Sequence, residues 1–274
     1  MLNARIIGRI LGVLLVLEGI FMLTIIPVSL YYNEGDLVPV AISAGITLGV
    51  GFILARIFKK SEGTVGKRDG YLIVTSSWIV FSLFGSLPFV IGGAIPSYTD
   101  AFFETISGFT TTGASILTDI ESMSHGLLFW RSMTQWLGGM GIIVLSLTIL
   151  PIVKVGSMQL FSAEVPGPTP DKLHPKIKET AKRLWLIYLF FTLAEALLLK
   201  LGGMNVFDAV CHSFTTMATG GYSTKNESIA AFNSPYIHYV ITIFMFIAGT
   251  NFSLAYFGMH GKLKKVFKNE EFIF

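Results

Sequence analysis

The chain has 274 residues, of which 52% are hydrophobic and only 14% are charged. With a mean hydropathy of +0.66, this composition excludes an ordinary soluble domain. The net charge of +3 does not indicate nucleic-acid binding, because the basic residues follow the ends of apolar segments. A single cysteine, Cys211, excludes an intrachain disulfide. We therefore expect an integral membrane protein with no nucleic-acid partner.

Six apolar segments approach or exceed the length that a membrane-spanning helix needs. That length is about 20 residues for ~30 Å of hydrocarbon. The first segment is too long for the core of a signal peptide and lacks a small-x-small cleavage site, so we expect it to remain as a helix. The predicted spans are Ile10–Leu30, Leu37–Phe58, Tyr71–Ile95, Gly126–Val153, Leu184–Leu201 and Pro235–Met259.

The basic residues give the predicted spans an orientation. Of the 20 Lys and Arg residues, 17 precede the first span, follow the second, join the fourth to the fifth, or follow the sixth. If the spans alternate, these residues share one side, which the positive-inside tendency makes cytoplasmic. The amino terminus is then cytoplasmic. Arg131 lies towards the outer side, and we expect it to extend outward to Asp119 or Glu121.

Two polar segments interrupt the apolar sequence in nearly the same way. Asp100–Ser115 is echoed about 107 residues later by Asp208–Ser223. Each copy begins with Asp-Ala, continues for about ten mostly apolar residues and becomes polar around a Thr-Gly pair. Because lipid cannot satisfy irregular backbone, the repeat indicates loops that line a protein-walled cavity. Ordinary outer loops rich in Ser, Thr and Gly are the alternative, which the repetition disfavours.

The lengths of these segments fit a loop that enters the membrane and returns. Asp100–Phe109 as a helix covers ~15 Å, and an extended return from Thr110 to Ser115 covers ~15–20 Å. We expect Asp100 and Asp208 to be the N-caps of the two short helices. The negative carboxyl ends then point at the cavity, which favours a cation. Between Thr110 and Leu117, and between Thr215 and Thr224, there is no carboxylate, so a monovalent cation is favoured over a divalent one.

Four segments together carry a family resemblance. They are Asp100–Ala114, Gln135–Leu145, Ala163–Pro168 and His212–Ser223. With them, the chain resembles the Trk/Ktr/HKT superfamily of potassium transporters, and within it the bacterial TrkH-type subunits. The resemblance implies potassium uptake through a pore lined by backbone carbonyls. It implies no enzyme activity and no cofactor besides the transported K⁺.

The resemblance also implies a selectivity filter with one essential glycine in each repeat. Alignment of the Thr-Gly pairs makes Gly220 the counterpart of Gly113, with Gly221 as the competing choice. The predicted filter residues are Thr111, Thr112, Gly113 and Ala114 in the first loop and Thr219, Gly220, Gly221 and Tyr222 in the second. Potassium is expected to be bound through Thr111, Thr112, Gly113, Thr219 and Gly220.

The predicted fold is an all-α integral membrane protein. It consists of a helical hairpin followed by two helix–re-entrant pore loop–helix repeats of the potassium-channel-like type. The expected divisions are a hairpin at 1–66, repeats at 67–153 and 182–259, a cytoplasmic linker at 154–181 and a cytoplasmic tail at 260–274.

Family members carry four such repeats, so the chain corresponds to an amino-terminal portion with two. The implied partners are the remaining half of the transporter, a second full-length subunit, a cytoplasmic nucleotide-binding regulatory ring and the lipid bilayer. The implied location is the bacterial inner membrane. A non-conducting accessory subunit or an inactive fragment is the alternative function. An intramembrane enzyme is disfavoured, because no catalytic pair occurs at matching depth.

Some polar and small residues inside the predicted spans have several interpretations. Glu18 and Glu195 are ionisable groups in membrane sequence, for which we expect interhelical hydrogen bonds, or an interface position for Glu195. The glycines of Gly138–Gly141 indicate close helix packing, with a kink as the alternative. His212 is interpreted as a polar face of the second short helix.

Overall fold

The computed structural model describes residues 3–59, 67–141 and 177–250, and every regular element within them is helical. A π-helical turn, Leu137–Gly141, directly continues α7, and a 3₁₀ turn, Ser228–Ala231, precedes the last helix. The α-helices are α1 (Ala4–Leu23), α2 (Ile25–Tyr32), α3 (Leu37–Ile57), α4 (Lys67–Gly85), α5 (Leu87–Ile91), α6 (Tyr98–Phe109), α7 (His125–Trp136), α8 (Ile177–Leu201), α9 (Val206–Met217) and α10 (Pro235–Gly249).

Four of the described segments are long and apolar enough to cross a membrane. They correspond to the first, second, third and fifth predicted spans. The predicted fourth span begins with α7 and the π-helical turn that continues it, and the predicted sixth span begins with α10. The described residues end within each of these two predicted spans. The four segments are Ala4–Tyr32, Leu37–Ile57, Arg68–Ile91 and Lys182–Leu201. The all-α class is confirmed for the described residues.

The last part of the predicted linker is helical. Helix α8 begins at Ile177, so it extends into the segment predicted as a cytoplasmic linker. The rest of that linker, with the family-like segment at 163–168, lies outside the described residues, as does the tail at 260–274.

Proline divides two of the predicted spans. The first changes from α1 to α2 at Thr24, three residues before Pro27. The third changes from α4 to α5 at Ser86, two residues before Pro88. Proline has no backbone N–H, and its ring clashes with the carbonyl four residues earlier, so each helix is interrupted just upstream.

The first and third helices form a hairpin whose backbones touch at glycine. A Cβ on Gly12 would lie 2.9 Å from the carbonyl oxygen of Gly51, and a Cβ on Gly51 would lie 2.9 Å from the carbonyl oxygen of Gly12. Apolar side chains gain little by leaving lipid, so close backbone packing is a main source of attraction between such helices. The reciprocal glycines provide that contact.

Two ionisable side chains are buried in the spanning helices. Glu18 lies beside α4, where its Oε1 is 3.0 Å from the position of a Cβ on Gly85. Glu195 lies on α8 and is also fully buried, which excludes an exposed interface position. The Glu18 carboxyl has no hydrogen-bond partner in the part of the chain that the structure describes. The Glu195 carboxyl faces the Thr216 hydroxyl of α9, so an interhelical polar contact is found for Glu195 and not for Glu18.

The two short helices, α6 and α9, each have 12 residues and begin with a side-chain cap. Ser97 Oγ accepts a hydrogen bond from the Asp100 amide at 3.4 Å, and Asn205 Oδ1 accepts one from the Asp208 amide at 2.7 Å. The prediction that Asp100 and Asp208 are the caps is therefore wrong. Both aspartates lie in the first turn, where a carboxylate still complements the positive helix end.

The hairpin contact gives a testable difference between two glycines of α3. Gly51→Val should lower the free energy of unfolding by about 1–3 kcal/mol, because its side chain overlaps the backbone of α1. Gly49→Val is the matched control, because nothing lies within 4 Å of a Cβ there. Thermal unfolding of the purified variants in detergent measures both. Equal stability of the two variants would contradict the packing described.

Candidate ion-binding site

The loops that follow α6 and α9 have the same backbone shape. We call Thr110–Ser115 the first loop and Ala218–Ser223 the second loop. Thr111 and Thr219 both adopt the left-handed conformation, with φ of 52° and 55°. Two residues later, Gly113 and Gly221 have φ of 76° and 79°. Because both loops have positive φ at the same two positions, Gly113 and Gly221 are equivalent in the backbone. Glycine adopts a positive φ without a steric cost.

Hydrogen bonds confirm this register. The Thr112 amide donates to the Ser107 carbonyl and the Gly220 amide donates to the Thr215 carbonyl, both at 2.9 Å. The two copies are therefore related by a shift of 108 residues, as Asp100 and Asp208 also indicate. The assignment of Gly220 as the counterpart of Gly113 is wrong in backbone terms, and the competing choice, Gly221, is the equivalent residue.

The two loops are in direct contact. A Cβ on Gly113 would overlap the carbonyl oxygen of Gly220. A side chain is thus excluded at Gly113 for two reasons, the positive φ and the neighbouring carbonyl. Gly113 and Gly220 are therefore neighbours in the fold, although they are 107 positions apart in the sequence.

The carboxyl ends of the short helices converge below these loops. A Cβ on Gly138 would overlap the carbonyl oxygen of Phe109, the last residue of α6. A Cβ on Gly139 would lie 2.8 Å from the Cα of Ala218, the C-cap of α9. Adjacent glycines of the π-helical turn therefore touch one helix end each. The expected close packing is confirmed, and it occurs where the helix also departs from α geometry.

Each loop is supported by one side chain of its own short helix. Ser115 Oγ donates to Glu104 Oε1 at 3.0 Å, and Ser223 Oγ lies 3.0 Å from His212 Nε2. Glu104 and His212 occupy equivalent positions of the repeat. His212 is only 1% exposed, and its Nδ1 lies 2.7 Å from the Asp208 carbonyl oxygen. His212 is therefore a buried loop support and not simply a polar helix face.

Arg131 differs most from its predicted position. Its side chain is only 2% exposed, and Nε donates to Glu104 Oε1 at 2.8 Å. Nη1 donates to the Ser223 carbonyl at 3.0 Å, and the guanidinium lies 3.6 Å from the centre of the Tyr222 ring. The prediction that Arg131 extends outward to Asp119 or Glu121 is wrong. The carboxylate of Glu104 is a closer partner, and the charge-assisted hydrogen bond to it is buried.

Gln135 holds the second loop one helical turn further along α7. Its Oε1 accepts a hydrogen bond from the Tyr222 amide at 3.1 Å. A Cβ on Gly220 would lie 2.6 Å from Gln135 Nε2, so a larger residue there would displace the Gln135 amide. Nε2 is buried and has no hydrogen-bond partner in the described part of the chain.

The predicted filter residues fall into two groups. The buried group is Gly220 and Tyr222, which lie between the loops. The other group is exposed or half-buried and comprises Thr111, Thr112, Gly113, Ala114, Thr219 and Gly221. Although Ala114 is exposed, its carbonyl accepts hydrogen bonds from Ser107 Oγ at 2.6 Å and Tyr222 Oη at 3.2 Å.

Comparison with known proteins is decisive on the family. Residues 42–271 match the TrkH family, described as cation transport protein. The chain belongs to this family. TrkH of Escherichia coli K12, a Trk system potassium uptake protein, is 45% identical over 268 residues, which are 97% of this chain and 56% of the relative. TrkG of the same organism, also a Trk system potassium uptake protein, is 35% identical over 93% of this chain and 53% of its own.

A solved structure of the TrkH family supports the same conclusion. The crystal structure of the potassium transporter TrkH from Vibrio parahaemolyticus matches with a TM-score of 0.79 and 40% identity. The match covers 93% of this chain and 52% of that one. The chain thus spans about half the length of the TrkH-family proteins that it matches.

The contact between the loops gives a second prediction. Gly113→Ala should destabilise the protein by at least about 1 kcal/mol more than Gly93→Ala, because both add strain at positive φ but only Gly113 also meets a carbonyl oxygen. Gly93 is a matched control with φ of 72° and nothing within 4 Å. Thermal unfolding in detergent tests this, and equal losses would show that the loops are not in contact.

Proposed function

We propose that this chain forms part of a transmembrane pathway for K⁺ and lines it with backbone carbonyls of the two loops. The observation that carries the proposal is the convergence of α6 and α9 on Gly138 and Gly139, with Gly113 against the Gly220 carbonyl just beyond. Each helix brings the partial negative charge of its carboxyl end to the same place. A cation that has lost water is stabilised there.

The chemistry of the loops favours a monovalent ion. A dehydrated ion needs several oxygens directed at one axis, and glycine permits the backbone conformations that direct them. Neither loop contains a carboxylate, which a site for divalent ions would use. Thr112, Thr219 and Gly221 are exposed, so the loops have an open side where an ion can be received.

We infer a membrane arrangement in which both loops are re-entrant from the outer side. At 12 residues, α6 and α9 are each about 18 Å long, too short to cross ~30 Å of hydrocarbon. The distribution of basic residues supports a cytoplasmic amino terminus, and the family resemblance supports the inner membrane of a bacterium. The units of this arrangement are the hairpin at 1–66 and the repeats at 67–153 and 182–259.

The chain spans about half the length of the relatives that it matches, so the pathway requires further segments. We propose that the chain supplies two of four repeats and that the remaining half of the transporter closes the pore. A homodimer of full-length subunits and a cytoplasmic nucleotide-binding ring are further proposals, which rest on family resemblance. The same coverage also favours a second candidate, a non-conducting accessory or regulatory subunit.

Rubidium uptake by cells that lack their own potassium uptake separates these functions. The chain should support uptake when it is joined to the part of the E. coli relative that it does not cover, because four loops are then present. The chain alone and the E. coli part alone are the controls and should give none. If the fusion reaches the membrane and takes up no rubidium, the pathway proposal is wrong and the accessory function is favoured.

A further inference from the structure

We propose that Arg131 and Glu104 are positioning residues that set the preference of the pathway for K⁺ over Na⁺. This inference rests on the proposed function and adds a determinant that lies behind the ion-facing surface. Arg131 and Glu104 are 2% and 1% exposed, so they do not contact the ion themselves. Their effect must pass through the loops that they hold.

Glu104 fixes the exit of the first loop. Its Oε2 accepts a hydrogen bond from the Ile116 amide at 2.9 Å, and its Oε1 accepts one from Ser115 Oγ at 3.0 Å. Oε1 also accepts the bond from Arg131. One carboxylate therefore holds the backbone directly after the predicted filter residues.

Arg131 joins this carboxylate to the second loop. Different nitrogens of one planar guanidinium reach Glu104 Oε1 at 2.8 Å and the Ser223 carbonyl at 3.0 Å. Such a planar, charged fork holds two acceptors at a fixed separation, which a single ammonium group does not do. The distance between the two loop exits is thus set by one side chain.

Tyr222 also connects the second loop to the first repeat. Its Oη donates to the Glu104 carbonyl at 2.7 Å and to the Ala114 carbonyl at 3.2 Å, while its ring lies under the Arg131 guanidinium. We call these contacts of Glu104, Arg131 and Tyr222 the brace. The brace links the residues that follow Gly113 to those that follow Gly221, and so joins the two repeats.

The consequence for selectivity follows from ion size. Na⁺ is smaller than K⁺, and a ring of carbonyls discriminates between them by the spacing, number and orientation of its oxygens. Loops that separate or move independently can approach a smaller ion, so loss of the brace should admit Na⁺. A purely structural role for the ion pair would instead reduce the amount of folded protein and leave the ion preference unchanged.

The test measures rubidium and sodium uptake by the same fusion, each normalised to protein in the membrane. Arg131→Lys keeps the charge but cannot hold both acceptors, and Tyr222→Phe removes only the hydroxyl bonds. Each should lower the rubidium-to-sodium ratio, by about tenfold for Arg131→Lys. Lys225→Gln is the control, because Lys225 lies 3.8 Å from Glu121 at the outer surface and takes no part in the brace. Its ratio should stay unchanged.

The outcomes separate this inference from the proposed function. An unchanged ratio in Arg131→Lys or Tyr222→Phe, with normal abundance, would overturn the positioning role while leaving the pathway intact. If Arg131→Lys fails to reach the membrane, Tyr222→Phe decides, since it removes no charge. Absence of rubidium uptake by the unmodified fusion would instead contradict the proposed function.

Discussion

The buried ion pair of Glu104 and Arg131 is the interaction on which the arrangement of the two loops depends. Removing two charges from water costs several kcal/mol for each ion, which a single contact does not offset. Here the carboxylate also accepts hydrogen bonds from Ser115 and Ile116, and the guanidinium also donates to Ser223 and stacks on Tyr222. These additional contacts help to offset the cost of burying the pair, and they join one repeat to the other.

Helix α7 connects the repeats because it belongs to the first and holds the second. Arg131 and Gln135 lie one turn apart and both contact the Tyr222 segment, while Gly138 and Gly139 receive the ends of α6 and α9. The loops keep the same backbone, but their supports differ, a glutamate in one and a histidine in the other. This is the pattern expected where an ion meets main-chain oxygens, because the backbone conformation is constrained more tightly than the side chains behind it.

The sequence predicted the four long apolar segments and the two short helices with the polar loops that follow them, because apolar length and a repeated Thr-Gly pattern are local signals. It did not predict the interruptions at Thr24 and Ser86. It misplaced the caps by three residues, since Ser97 and Asn205 stand just outside the repeated segment. It also misjudged the glycine register by one, because the Thr-Gly pairs differ from the backbone repeat. Arg131 was missed for a physical reason. Its partners are distant in sequence, and its place early in the predicted fourth span favours extension towards the outer carboxylates over a buried pair.

If the two loops face one ion with their main-chain oxygens, crystals of the complete transporter grown in rubidium should show the ion by anomalous diffraction. We expect a rubidium peak bounded by carbonyl oxygens of both loops, next to Gly113 and the Gly220–Gly221 segment. A peak elsewhere in the molecule, or loops whose carbonyls point away from the peak, would show that the loops do not bind the ion.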